Sequence, residues 1–312
     1  MRPQHVLGGT FKLLDGHEIP LVGFGTSPKT WLTGWKWSQL EMDTAIEAAL
    51  GSGYRLFDTA NFYDNDDVLS NAFNKLLPNF NLTREDIFIT SKVEIIIPNI
   101  QENTHRILDK SIKAFEYLDL ILIHYPKYEA LAAPGIGPRR ENDSKDNQND
   151  RYEIYNVLEE YKDKGKILSI GVSNFEPRHI EELLPKVKYP PTVNQCEFHP
   201  HLCRPELKKY CQENGIFLQA HTSLARNNEE LYNEHVLKEL AAKYSTSLQH
   251  ILLAFAYKQN VGVIPKSVNP ERIRRNLKFL DIDLSDEDIK KLLTLDKGYK
   301  GHYTPCIQWN IL

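Results

Sequence analysis

Cysteine and methionine are scarce in this chain of 312 residues, with four of the first and two of the second. Four irregularly spaced thiols cannot staple a chain of this length, so reduced thiols and a cytoplasmic setting are expected. No apolar run reaches the roughly 20 residues that a membrane-spanning helix needs. The opening Met-Arg-Pro-Gln-His-Val-Leu-Gly-Gly holds no apolar stretch of signal-peptide length. An excess of one charge is also missing. With 38 Lys+Arg against 42 Asp+Glu the net charge is −4, which argues against broad electrostatic binding to nucleic acid or to an anionic membrane. What is present is ordinary globular composition, 41% hydrophobic and 26% charged, enough to bury a large core without metal staples.

Strand-length apolar runs alternate with stretches of helical period. Two segments at 10–14 and 18–20 flank Asp15-Gly16, a hairpin turn signal. Strands are then expected at 21–26, 55–58, 87–91, 118–124, 167–172, 192–197, 216–220 and 262–264. Helices are expected at 39–52, 68–77, 102–115, 152–164, 177–184, 205–212, 234–244 and 247–259. Two more open at Pro270 and at Ser285, where Ser-Asp-Glu-Asp fits a capping box. Residues 134–150 form a polar stretch rich in Asn, Asp, Arg, Gly and Pro and read as a long surface loop, because the β/α rhythm resumes directly after them. Eight alternating units predict an α/β fold, a (β/α)8 TIM barrel with an N-terminal β-hairpin, in a single domain spanning 1–312. An open doubly wound sheet is the alternative. Gly23-x-Gly25 is not followed by a third glycine or a helix start, so a dinucleotide fingerprint is absent.

In such a barrel the chemistry sits where strands end. Those positions hold Asp58, with Tyr63 five residues on, then Lys92, His124, Ser173-Asn174, Asn194-Gln195, His221 and Pro265-Lys266-Ser267. A lone Asp is usually a cap, a lone Lys a surface charge and a lone His structural. Together, Asp, Tyr, Lys and His form a set for proton transfer. A free Tyr has a pKa of about 10; a neighbouring ammonium lowers it, and Asp58 would hold that ammonium charged. The set suits protonation of an oxygen while a nicotinamide cofactor delivers hydride, since no side chain can do so.

Six segments extend this reading. They are Phe57-Asp58-Thr59-Ala60-Asn61-Phe62-Tyr63, Thr90-Ser91-Lys92, Leu122-Ile123-His124-Tyr125-Pro126, Ile170-Gly171-Val172-Ser173-Asn174-Phe175, Val193-Asn194-Gln195-Cys196-Glu197-Phe198-His199-Pro200 and Ile264-Pro265-Lys266-Ser267-Val268. In this order they resemble the aldo-keto reductases, most of all the fungal NADPH-dependent ketoreductases. The resemblance covers about 10–284. It implies a monomer or weak homodimer that reduces small-molecule aldehydes or ketones, such as keto esters, keto amides or diketones, by hydride from NADPH. On the matching positions it makes Tyr63 the general acid and Lys92 the group that lowers its pKa. Asp58 then pairs with Lys92, and His124 holds the carbonyl. It places Ser173, Asn174 and Gln195 on the nicotinamide carboxamide and His221 on its ring. Lys266, Ser267 and Arg272 fall at the 2′-phosphate, Asn276 at the adenine, and Gly25, Thr26 and Leu224 elsewhere along the cofactor. Trp31, Tyr125 and Trp309 are expected around the substrate.

This chain departs from the family at three places. His221, in Ala220-His221-Thr222-Ser223-Leu224-Ala225, stands where an aromatic Tyr usually stacks, so binding of NADP+ is expected to depend on pH near the imidazole pKa. Arg275 replaces a Glu that often contacts adenine, adding a cation and favouring NADPH over NADH. The run Lys92-Val93-Glu94-Ile95-Ile96-Ile97 lacks a Trp common in mammalian aldose-type members, and Trp31, Trp35 and Trp37 sit in a longer loop after the first strand. Cys196, His199, His201 and Cys203 mimic a zinc site, but C-x2-H-x-H-x-C fits no standard one, and strand alternation sets Cys196 opposite Gln195. No metal is expected.

Overall fold

The computed structural model describes residues 6–27, 36–127 and 145–303. The chain opens with a short antiparallel pair, β1 (Thr10–Lys12) and β2 (Glu18–Pro20), joined across the expected turn. Among the described residues, eight parallel strands follow: β3 (Gly23–Gly25), β4 (Leu56–Asp58), β5 (Phe88–Val93), β6 (Leu118–Ile123), β7 (Ile167–Ser173), β8 (Val193–Glu197), β9 (Phe217–His221) and β10 (Gly262–Val263). Each pairs with its sequence neighbour, the order expected of a barrel. The ring closes through a parallel bridge between Val22 and Val263, with Val263 N donating to Leu21 O at 2.9 Å and Gly25 N to Pro265 O at 3.2 Å.

Alternation along the strands sorts the side chains into two layers. Val22, Phe57, Ile89, Ile121, Ile123, Ile170, Val172 and Ala220 belong to the outer core beneath the helices. Leu56, Phe88, Leu120, Leu122, Val193, Phe217 and Ile264 fill the interior together with Leu13 and Ile19 of the hairpin. The hairpin plugs the N-terminal end, where Phe11 stacks on Phe217 at 4.6 Å. Gly171 is required by close packing, since a Cβ there would lie 2.6 Å from Val193 O and 2.7 Å from Leu122 Cδ2. With this end sealed, the opposite mouth is the open end of the barrel.

The helices are α1 (Gln39–Gly51), α2 (Asp66–Leu76), α3 (Ile100–Phe115), α4 (Lys145–Asp163), α5 (Pro177–Leu183), α6 (Pro205–Glu213), α7 (Glu229–Tyr232), α8 (His235–Lys243), α9 (Leu248–Tyr257), α10 (Pro270–Asn276) and α11 (Asp286–Leu293). Their starts follow from local chemistry. Ser38 and Ser285 each form a reciprocal capping box, with Glu41 and Asp288, and Asn269 caps α10 ahead of Pro270. Among the described residues no helix is long and apolar enough to cross a membrane.

One boundary moves. α4 begins at Lys145, inside the stretch read as loop, while 134–144 lie outside the described residues. Residues 145–150 are all polar, so no hydrophobic period marks them. Asn147, Asp150 and Arg151 nevertheless face inward at helical spacing. Arg151 Nη1 donates to Pro126 O at 2.9 Å, and the same guanidinium pairs with Glu182. Buried polar groups tied to backbone and carboxylate replace the apolar stripe here.

Candidate active site

The inward face that carries Leu56, Phe88 and Leu122 continues to Asp58, Lys92 and His124, so strand parity alone delivers these three to the mouth. All three are buried. Lys92 Nζ donates to Asp58 Oδ1 at 2.6 Å and to Thr59 O at 2.9 Å. Gln195 Nε2 donates to Asp58 Oδ2 at 2.7 Å and to Gln219 Oε1 at 2.8 Å. Tyr63 closes a 3-10 turn, Asn61–Tyr63, just beyond β4. Its ring centre lies 5.3 Å from Lys92 Nζ and 6.0 Å from the His124 ring, which it meets at 80°. Tyr125 stacks on His124, with ring centres 4.8 Å apart. Asp58, Tyr63, Lys92 and His124, expected from the strand ends and the turn after β4, thus lie together in one place, with Tyr125 against the histidine.

The electrostatics differ from expectation at Tyr63. Burial pushes its phenol well above the usual range, the Asp58 and Glu94 carboxylates add to this, and the more distant Arg226 opposes it. Lys92 stands beside this ring, with its ammonium paired to Asp58 at contact distance. Burial also lowers Lys92, with Asp58 and Glu94 resisting. Tyr63 therefore keeps its proton across the physiological range, and gives it up only to a stronger base than phenolate.

A second group of polar side chains borders the first. Asn174 has φ 61°, in the left-handed region that Asn tolerates better than most residues. Its Nδ2 donates to His124 O at 3.0 Å and to Ser173 Oγ at 3.1 Å. Ser173 Oγ in turn donates to Gln195 O at 2.8 Å. Since the amide nitrogen of Asn174 is committed there, its Oδ1 accepts from His221 Nε2–H at 2.9 Å, and Thr222 Oγ1 donates to His221 Nδ1 at 3.0 Å. The neutral imidazole is thereby fully engaged, and burial pulls its pKa down to about 3.

This overturns the expected pH sensitivity of His221. A free imidazole titrates near 6.5; here the proton prefers the unfolded chain. Any stability owed to the neutral ring is present above about pH 6.5 and is lost as the pH falls toward 3. The His221 ring carbons and nitrogens are expected to show constant NMR shifts between about pH 5.5 and 8. A midpoint inside that window would contradict this assignment.

The third group lies where β10 leads into α10. Gly25 ends β3, where a Cβ would meet Ile264 O at 2.9 Å. Thr26 is buried, with Oγ1 donating to Asp58 O at 2.9 Å. Its own carbonyl accepts from Trp37 Nε1 at 2.8 Å, and Lys266 Nζ lies 5.4 Å from the Trp37 ring centre. Trp37 is thus a buried support, not a flap over a substrate. Ser267 is buried and takes part in the turn with Asn269. α10 is held by Tyr54 Oη donating to Ile273 O at 3.2 Å and His250 Nε2 to Arg275 O at 2.8 Å, which sets Arg272, Arg275 and Asn276 beside one another. Arg272 and Arg275 are exposed and their guanidinium groups have no ion-pair partner among the described residues. Leu224 is partly buried in the loop after β9. Trp31 and Trp309 lie outside the described residues, as does Trp35.

Two residues at the mouth escaped the sequence reading. Glu94 is buried against His124, and Arg226 sits in a run of three residues, Ala225 to Asn227, with φ between 46° and 58°. Nothing local marks Arg226; its reach to Tyr63 and His221 depends on how the loop folds. Glu94 did leave a signal, being the only charge in an apolar run and two residues beyond Lys92 on the same parity.

The zinc-like residues point to separate partners. Cys196 Sγ donates to Asn194 Oδ1, His199 pairs with Glu197 at 3.0 Å, His201 contacts Tyr303 and Glu234, and Cys203 Sγ lies against Pro200 O. Among the described residues no three His, Cys, Asp or Glu side chains are grouped to hold a metal.

Residues 22–297 match the sequence pattern of the Aldo/keto reductase family. Aldose reductase C of Dictyostelium discoideum is 33% identical over 93% of this chain and 90% of its own length. The NAD(P)H-dependent D-xylose reductase I,II of Candida tropicalis is 33% identical over 93% of each. Glyoxal reductase of Bacillus subtilis is 35% identical over 93% of this chain and 94% of its own. Among solved structures, the aldose reductase of Schistosoma japonicum superposes with a TM-score of 0.81 at 27% identity, covering 96% of both chains.

Proposed function

Because this chain belongs to the aldo/keto reductase family, a family of nicotinamide-dependent oxidoreductases that act on small carbonyl compounds, we propose that it reduces aldehydes or ketones to alcohols with NADPH, using Tyr63 as the general acid. The observation that carries this reading is the convergence of Tyr63, Lys92 and His124 at the unplugged mouth, over a buried Lys92–Asp58 pair at 2.6 Å. The cofactor, when bound, supplies the hydride that adds to the carbonyl carbon. As the C=O π bond opens, its oxygen becomes a stronger base than phenolate and takes the Tyr63 proton. Lys92, held by Asp58, stabilises the phenolate that remains. His124 lies across the same opening and orients the substrate.

The donor set fits a dinucleotide phosphate. Gln195 donates inward to Asp58 and Gln219, which leaves its Oε1 to accept from a carboxamide N–H. Lys266, Ser267, Arg272 and Arg275 supply the charge-assisted donors that a phosphomonoester dianion requires, and the two arginines are not neutralised by neighbouring carboxylates among the described residues. The NADPH-dependent D-xylose reductase of Meyerozyma guilliermondii is named for this cofactor, while the name of the Candida tropicalis enzyme, NAD(P)H-dependent, covers both.

A panel of aldehydes and ketones, followed by loss of NADPH absorbance, tests the reading; no turnover of any of them would end it. We expect kcat/KM to be at least about tenfold higher with NADPH than with NADH. Arg272→Ala should shrink that ratio by about tenfold through KM for NADPH, in line with a lost charge-assisted bond of about 1.5 kcal/mol. Equal efficiency with both cofactors would refute the assignment of the cationic cluster.

A further inference from the structure

Glu94 plays no part in the reaction as described so far, yet it gathers three contacts at the mouth while almost wholly buried. Phe62 N donates to its Oε1 at 3.2 Å, and Asn61 Nδ2 donates to its Oε2 at 2.9 Å. His124 Nδ1 lies 3.1 Å from Oε1. A backbone N–H and a side-chain amide nitrogen can only donate. Both Glu94 oxygens are therefore acceptors, and the contact to the histidine is an Nδ1–H donating to a carboxylate.

A neutral imidazole has one N–H. With the proton on Nδ1, the Nε2 of His124 carries a lone pair, and it has no partner among the described residues. The charged or titratable groups near this ring are Glu94 and Lys92 from the β5 side, Asp58 from β4, Tyr63 from its turn and His221 from β9. Burial and Lys92 oppose a second proton, Glu94 and Asp58 favour it, and the balance sets His124 below the usual imidazole range.

We infer that Glu94 is a positioning residue that fixes His124 as a hydrogen-bond acceptor toward the substrate, so that the site selects carbonyl compounds bearing an O–H or N–H donor next to the reacting carbon. The inference rests on the proposed reductase reading for its substrate half and on geometry alone for the tautomer. Tyr63 then donates the hydrogen bond to the carbonyl oxygen, while His124 receives one from the neighbouring substituent. A substrate with an apolar group there leaves the lone pair of a desolvated nitrogen unmatched, the situation in which polar sites discriminate most strongly.

Two measurements test this. Nitrogen-15 NMR of the histidine rings in the full-length protein at pH 7 should show His124 protonated on Nδ1 and bare on Nε2. Kinetics should compare hydroxyacetone with butanone, which share a shape but differ by a hydroxyl. The wild type should favour hydroxyacetone by about tenfold in kcat/KM, the worth of one good hydrogen bond. Glu94→Gln keeps an oxygen for Nδ1–H and should retain the preference. Glu94→Met removes the acceptor and should cut the preference at least about fivefold, with NADPH affinity by fluorescence titration unchanged. A wild-type ring protonated on Nε2 would overturn the assignment, and so would an equal preference in wild type and Glu94→Met. A wild type that reduces neither ketone, with Nε2 bare, would sink the reductase reading and the substrate preference together.

Discussion

Replacing Tyr63 by Phe is expected to lower kcat/KM for carbonyl reduction by about 10³-fold, within the usual range for loss of a positioned general acid. NADPH affinity should stay within about twofold, because the ring, its turn and its contact with Lys92 survive the change. The size of the effect follows from what the phenol does. Its proton is held firmly in the resting protein by burial and by two carboxylates. It leaves only as the substrate oxygen gains charge, so the interaction is made in the transition state and the loss should fall on kcat more than on KM. Stopped-flow mixing of enzyme and NADPH with substrate separates the chemical step from release of product. Full activity in Tyr63→Phe would remove the mechanism, whatever the fold.

The second large effect concerns Asp58. It is 2% exposed, and Lys92 is 1% exposed. Truncating Asp58 to Ala strands an ammonium inside the barrel, and such a change typically lowers stability by about 3–5 kcal/mol. A urea titration should show a lower midpoint with an unchanged slope. The double variant Asp58→Ala, Lys92→Met should recover part of the loss, since neither charge is then left without its partner. Activity should be lost in both. If Asp58→Ala unfolded within about 1 kcal/mol of wild type, the pair would be no more than a surface-like contact and its assigned role would fail.

The two effects arise from positions that differ in how openly the chain announces them. Asp58, Lys92 and His124 are legible because each ends a strand whose inward residues are apolar, and a period of two extends that face to the mouth. Tyr63 is less so: it sits in a turn, and only the spacing from Asp58 and the likeness to known segments mark it. The closed ring was legible in the alternation of units and the hairpin in its turn signal, but that the hairpin plugs one end was not. What stayed hidden was settled by through-space neighbours. The first two turns of α4 are polar on both faces and read as loop. Burial and its hydrogen bonds leave the His221 imidazole neutral, and no string of residues states a local dielectric. Glu94 was visible as an isolated charge, but its meaning depends on the chain of β6 bringing His124 alongside it.

The seam where Val22 meets Val263 joins positions 241 residues apart in the chain (263 − 22). Nascent protein leaving the ribosome therefore presents an unzipped sheet with two raw borders until β10 has emerged. Asp58, Tyr63, Lys92 and His124 have all been synthesised long before that moment, whereas Lys266, Arg272 and Arg275 follow β10. A premature stop ahead of β10 would yield a polypeptide carrying the whole acid–base apparatus inside an unsealed wall, prone to sticking to its own kind through the exposed borders.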